Sequence, residues 1–124
     1  MRNTYPKSEK LKSQKKIELL FSEGKSVAVY PLRLVYAPID NSENAEIQIG
    51  VSASKKYFKK ATERNRMKRL LREAYRLNKT LLWNDLQHSF VIMFLYQSKE
   101  EISFVELNEK TVQLFEKFKS SIRK

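Results

Sequence analysis

Seven consecutive residues, Phe90-Val91-Ile92-Met93-Phe94-Leu95-Tyr96, leave no polar position on either side of a pleated strand. A strand that is apolar on both faces must be covered on both, so it belongs in the middle of a sheet with other elements packed above and below. The segment Ser89 to Gln97 therefore predicts a central strand in a layered chain. At 124 residues there is room for one compact domain around it, 1–124, with both ends frayed.

The remaining elements alternate helix and strand. Leu11, Leu19, Leu20 and Phe21 recur among lysines, and Gly24 follows as a terminator, which predicts a helix over 8–23. Residues 27–37 are β-branched, aromatic and aliphatic, and Pro31 among them predicts a strand that is broken, bulged or at an edge. Asp40-Asn41-Ser42-Glu43-Asn44 reads as a turn. Ile47, Ile49, Val51 and Ala53 then alternate with Gln48, Gly50 and Ser52, the period of a strand with one buried face, so 27–37 and 47–53 are expected to pair as a hairpin. A long helix is predicted from Ala61 to Leu77, a short one from Leu81 to Gln87, and a last one from Ser103 to Ile122, where Phe104, Leu107, Phe115, Phe118 and Ile122 share a face.

Several kinds of chemistry are poorly supplied. The chain has no cysteine, so it offers neither disulfides nor thiolate metal sites, and a reducing compartment suits it. His88 is its one histidine, and it stands before an apolar strand with no evident partner. No apolar run approaches the roughly 20 residues that cross a bilayer, and the polar N-terminus lacks the centre of a secretory signal, so a cytoplasmic protein is expected.

The net charge of +11 is concentrated. Lys55 to Lys79 holds eleven Lys or Arg against Glu63 and Glu73, or +9, and residues 1–26 hold seven against three, or +4, while the rest is slightly acidic. Packing like charges together opposes folding unless phosphates or counterions relieve the repulsion, which points to nucleic acid. On the long helix, Met67, Leu70, Leu71, Ala74 and Tyr75 collect on one side. Arg64, Asn65, Lys68, Arg69, Arg72 and Arg76 fill the other, with Arg66 near the boundary beside Glu73. Guanidinium forks grip phosphate oxygens in pairs, and the helix N-terminus adds partial positive charge. Just before it stand Lys55, Lys56, Lys59 and Lys60. A ribosome-associated or general RNA-binding module could use the same surface. A protein-only nuclease would need a carboxylate cluster, and apart from Glu63 and Glu73 the acidic residues are scattered outside the basic region.

The stretch Lys55-Lys56-Tyr57-Phe58-Lys59-Lys60-Ala61-Thr62-Glu63-Arg64-Asn65-Arg66-Met67-Lys68-Arg69-Leu70-Leu71-Arg72-Glu73-Ala74-Tyr75-Arg76 closely resembles the signature of bacterial ribonuclease P protein subunits. Gly50 to Lys56 is similar to the strand that leads into it, and Leu11 to Gly24 to the family's first helix. The resemblance implies an α+β single-domain αββαβα sandwich with a left-handed βαβ crossover, like domain 2 of ribosomal protein S5. It further implies a noncatalytic subunit that joins ribonuclease P RNA to remove the 5′ leader of precursor tRNA. The RNA would hold Mg2+ and carry the hydrolysis. The protein itself is expected to bind no cofactor or metal, to have no catalytic residue and to need no obligatory protein partner.

By the same resemblance, Arg64, Asn65, Arg66, Lys68, Arg69 and Arg72 are the signature's RNA-binding residues, with Lys55 and Lys56 as its basic approach. Lys59, Lys60 and Arg76 extend the set by position. The family's leader cleft lies between the first helix and the sheet, and Phe21 and Tyr36 are the ring candidates here, each equally readable as a packing residue. Ile17 departs from the aromatic residue of many relatives. Tyr57, Phe58 and Trp83 read as packing.

Overall fold

The computed structural model describes residues 5–39 and 45–123, so the expected turn at 40–44 lies outside the described residues. The apolar run forms β4 (Ser89–Tyr96), inside a four-stranded sheet of order β1 (Lys25–Val29), β2 (Leu32–Ile39), β4, β3 (Ile47–Ala53). β1 pairs with β2 and β2 with β4 antiparallel, while β3 and β4 run parallel. Among the described residues, helices α1 (Gln14–Glu23), α2 (Ala61–Trp83) and α3 (Phe104–Ile122) and a 3-10 turn at Lys7–Glu9 complete the fold. α2 is the crossover from β3 to β4, because parallel neighbours cannot be joined by a tight turn.

The break expected at Pro31 is present: the segment 27–37 is two strands, folded back at Tyr30 and Pro31. Three other expectations need correction. β2 and β3 do not form a hairpin, because the doubly apolar β4 takes the place between them, and β3, with Gln48, Gly50 and Ser52 on one face, is left at the edge. The helices expected at 61–77 and 81–87 are one helix that ends at Trp83, after which Asp85 turns the chain with φ 56°. The first helix begins at Gln14 instead of residue 8, capped by the Ser13 hydroxyl accepting from the Lys16 amide. Before it, Lys10 bridges to Ile49 in parallel fashion, and the Leu11 amide donates to the Ile49 carbonyl at 3.2 Å along the free edge of β3.

Alternation along the strands sorts side chains onto two faces. Leu34, Tyr36, Ile49, Ile92 and Phe94 meet Leu71, Tyr75, Leu114, Phe115 and Phe118 of α2 and α3 in the main core, all buried. On the opposite face Ala37 and Val91 are sealed by Leu11 and by Leu20 of α1. Gly24 follows α1 directly because a Cβ there would stand 2.2 Å from the Leu20 carbonyl oxygen. Beyond α1 the cover thins. Val35, Met93 and Gly50 lie in one row across the sheet, and Arg33, Leu95 and Ser52 in the next, none of them fully buried.

Candidate nucleic-acid interface

The basic connection from β3 to α2 is held by its own backbone and one ring. The amides of Tyr57 and Phe58 donate to the Ser54 carbonyl at 3.1 and 3.0 Å, and the Lys56 amide donates to the Ser54 hydroxyl at 3.1 Å. Phe58 is buried against Tyr96, ring centres 5.8 Å apart, which anchors the loop and leaves Lys55, Lys56, Lys59 and Lys60 exposed. Packing at Phe58 is as expected. Arg64 does structural work as well: its Nη1 donates to the Phe58 and Lys59 carbonyls at 2.8 and 2.9 Å, tying the loop to the first turn of α2.

Along α2, Met67, Leu71, Ala74 and Tyr75 are buried and Leu70 packs at the margin. Asn65, Arg69 and Arg72 stand exposed at spacings of four and three, with the half-buried Arg76 four further on, so they form one outward stripe. The side chains of Asn65, Lys68, Arg69 and Arg72 make no hydrogen bond or ion pair among the described residues. Two members of the predicted set are engaged at the surface instead. Arg66 pairs with Glu101, in the loop before α3, and Arg76 pairs with Glu73, whose carboxyl this hydrogen bond holds below the usual carboxylate range.

Lys79, counted above with the basic segment, is buried. Its ammonium lies 2.9 Å from each carboxylate oxygen of Glu9, which also accepts from the Tyr75 hydroxyl at 2.6 Å, and the Trp83 indole donates to that hydroxyl at 3.0 Å. Burial, and then the bond to Glu9, push the Tyr75 phenol far up. Composition counts Lys79 as one more surface cation; only the partner seventy positions earlier reveals its role.

This network seats the N-terminal segment against α2 and creates a groove of about 350 Å³ between that segment, the sheet and the helix. Lys10, Lys12, Lys68 and Arg72 stand around it, and Ile17, Gly50 and Met93 form an apolar floor. A Cβ at Gly50 would meet the Met93 thioether at 3.3 Å, so glycine keeps the floor low. Lys16 donates to Gln48 at 3.0 Å, linking α1 to β3 on the same face.

The two ring candidates separate. Phe21, one turn after Ile17 on α1, is 64% exposed. Tyr36 is a correction: it alternates onto the α3 side of β2 and packs edge-on against Phe118 and Phe90, at 4.9 and 6.1 Å. Its ring faces away from the surface that α1 borders, where Val35 and Ala37 point. Trp83 is a packing residue, and His88 is exposed. Among the described residues, no group of three or more His, Cys, Asp or Glu is placed to hold a metal ion, and no helix is long and apolar enough to cross a membrane.

A family model described as Ribonuclease P matches residues 5–119. The ribonuclease P protein component of Porphyromonas gingivalis is 46% identical over 97 residues, which cover 76% of this chain and 71% of that protein. The corresponding protein of Chlorobaculum tepidum is 28% identical over 131 residues, covering 98% and 79%. Among solved structures, the RNase P protein of Thermotoga maritima superposes with a TM-score of 0.70 at 27% identity over 88% of this chain and 96% of that one. The Staphylococcus aureus RNase P protein gives 0.72 at 20% identity over 91% and 97%, a likeness of fold.

Proposed function

This chain belongs to the ribonuclease P protein family, noncatalytic components of a ribonucleoprotein endoribonuclease, and on that premise we propose how its surface serves the work it shares with ribonuclease P RNA. The stripe of Asn65, Arg69, Arg72 and Arg76, with Lys55, Lys56, Lys59 and Lys60 before it, takes phosphates of structured RNA. Arg64 supports the loop and offers its remaining donors. Arg66 and Arg76 exchange Glu101 and Glu73 for phosphates when RNA arrives. The groove edged by Lys10, Lys12, Lys68 and Arg72 receives the unpaired 5′ leader of precursor tRNA, with Phe21 and Ile17 on its α1 side. Mg2+ is held by the RNA. The protein neutralises backbone repulsion between catalyst and substrate, which lowers the metal requirement, and it works in the cytoplasm.

One observation carries this reading: the cations of α2 that make no ion pair stand on the same side as a groove with an apolar floor and a cationic rim. A floor of that kind suits bases and a rim of that kind suits the backbone of a single strand. The test is cleavage of precursor tRNA by ribonuclease P RNA over a magnesium series, with and without the purified chain. The chain is expected to shift the series to lower magnesium; identical curves reject the reading.

A further inference from the structure

The most exposed large ring among the described residues is Tyr30, 73% exposed in the turn between β1 and β2. It borders an open recess of about 360 Å³ whose far side is Tyr57 of the basic connection, with Gln97, Ser98, Lys99 and Glu100 between them. The recess is a built one. The Tyr30 hydroxyl bonds the Ser98 hydroxyl at 3.1 Å, and the Gln97 amide donates to the Pro31 carbonyl at 2.7 Å, so the turn and the end of β4 are joined. Across the recess the Lys56 ammonium sits 5.5 Å from the centre of the Tyr57 ring. The loop that carries Glu100 is tied to α2 by the Arg66–Glu101 pair.

Arg33 adds a cation beside the recess. Its Nε donates to the Gln97 side chain at 3.1 Å and its Nη1 to the Ser26 hydroxyl at 2.8 Å, which fixes the guanidinium on the open sheet face. A guanidinium has five N–H donors, so donors remain for an incoming oxygen. No acidic residue pairs with Arg33 among the described residues.

We propose that this recess takes an unpaired nucleotide of RNA, its base against the rings of Tyr30 and Tyr57 and its phosphate at the rim toward Arg33 or Lys56. The inference rests on the RNA-binding reading above and extends the binding surface past the basic connection to the β1–β2 turn. Rings stack on any base, and a flanking cation fixes the backbone without selecting sequence. Lys99 on the same rim adds a further cation for the phosphate, and Glu100 beside it accepts from the amino group of a base that carries one.

The test compares Tyr30→Ala and Tyr30→Phe in the full chain. Affinity is measured for ribonuclease P RNA alone, and then for precursor and mature tRNA with the assembled holoenzyme. Tyr30→Ala is expected to lose roughly 5- to 150-fold in affinity, the range for one base stacked on one ring, and Tyr30→Phe to retain binding. A loss already present with the RNA subunit alone assigns the nucleotide to that RNA; a loss confined to precursor tRNA assigns it to the leader. Unchanged affinities throughout, or a Tyr30→Phe variant as weak as Tyr30→Ala, overturn the proposal. Thermal melting guards against misfolding, and Arg33→Gln is the second variant, expected to flatten the salt dependence of the same affinity. The magnesium series with the unaltered chain reports separately on the underlying reading, so the recess can fail while the subunit assignment stands.

Discussion

The Lys79 ammonium meets both carboxylate oxygens of Glu9 at 2.9 Å, an ion pair that closes a seventy-residue span of chain in the shadow of Trp83. Because Glu9 ends the 3-10 turn and Lys79 lies deep in α2, this pair decides where the N-terminal segment lies, and that segment is one wall of the groove. A pair of this kind costs much to desolvate, so its value lies in fixing one arrangement as much as in raw stability.

Glu9→Ala is therefore expected to destabilise the protein by about 3–5 kcal/mol, the usual result of leaving one buried charge without its partner. Urea denaturation measures it. A loss of under ~1 kcal/mol would mean that the pair behaves as a surface one. The double change Glu9→Leu with Lys79→Met should recover most of the stability, since no buried charge is then left unpaired.

Arg69→Ala should weaken binding to ribonuclease P RNA evenly across substrates. The slope of log affinity against log salt should fall by about 0.7–0.9 for each phosphate that is no longer neutralised. Arg69 is exposed and makes no ion pair among the described residues, so melting should be unaffected. An unchanged slope would mean that Arg69 touches no phosphate.

Phe21→Ala should harm processing of precursor tRNA more than binding of mature tRNA, because the exposed ring borders the proposed path of the leader and supports no core packing. Equal effects on the two tRNAs would assign the ring to some other role.

Alkaline stability offers a check on the N-terminal wall. Burial, the largest cause, pushes the Tyr5 phenol up to about 12 against the opposing effect of Arg72, and Glu9 adds to the rise. A group raised in the folded state contributes stability that is whole below its ordinary value of 10 and is lost as pH climbs toward 12. Denaturation midpoints should fall across that window, and Tyr5→Phe should flatten the fall. Phenolate absorbance that titrates in full at the ordinary value would contradict the burial of Tyr5.

The central strand, the two faces of α2 and the last helix were legible because each is a periodic apolar pattern whose meaning is local. The basic stripe was legible for the same reason. Features that depend on partners distant in sequence were not. Nothing beside Lys79 shows that it turns inward, and the end of α2 is set partly by Lys119, whose buried ammonium donates to the Leu82 and Asn84 carbonyls at 3.1 and 2.6 Å. The side taken by Tyr36 was not legible either, because strand alternation fixes which residues share a face but not which face meets α1. The β2–β3 pairing misleads because neighbours in sequence usually pair, whereas here the more apolar β4 displaces β3 to the margin.

The Lys10–Ile49 bridge has a bearing on how this protein survives at high concentration. β3 is a marginal strand whose outward amides and carbonyls are an open invitation to any other chain with the same habit. By lying along that strand, the leading residues answer the invitation from within. A version trimmed to start after Leu11 would forfeit part of its groove and also expose an adhesive rim, and light scattering should find it gathering into aggregates where the intact chain stays dispersed.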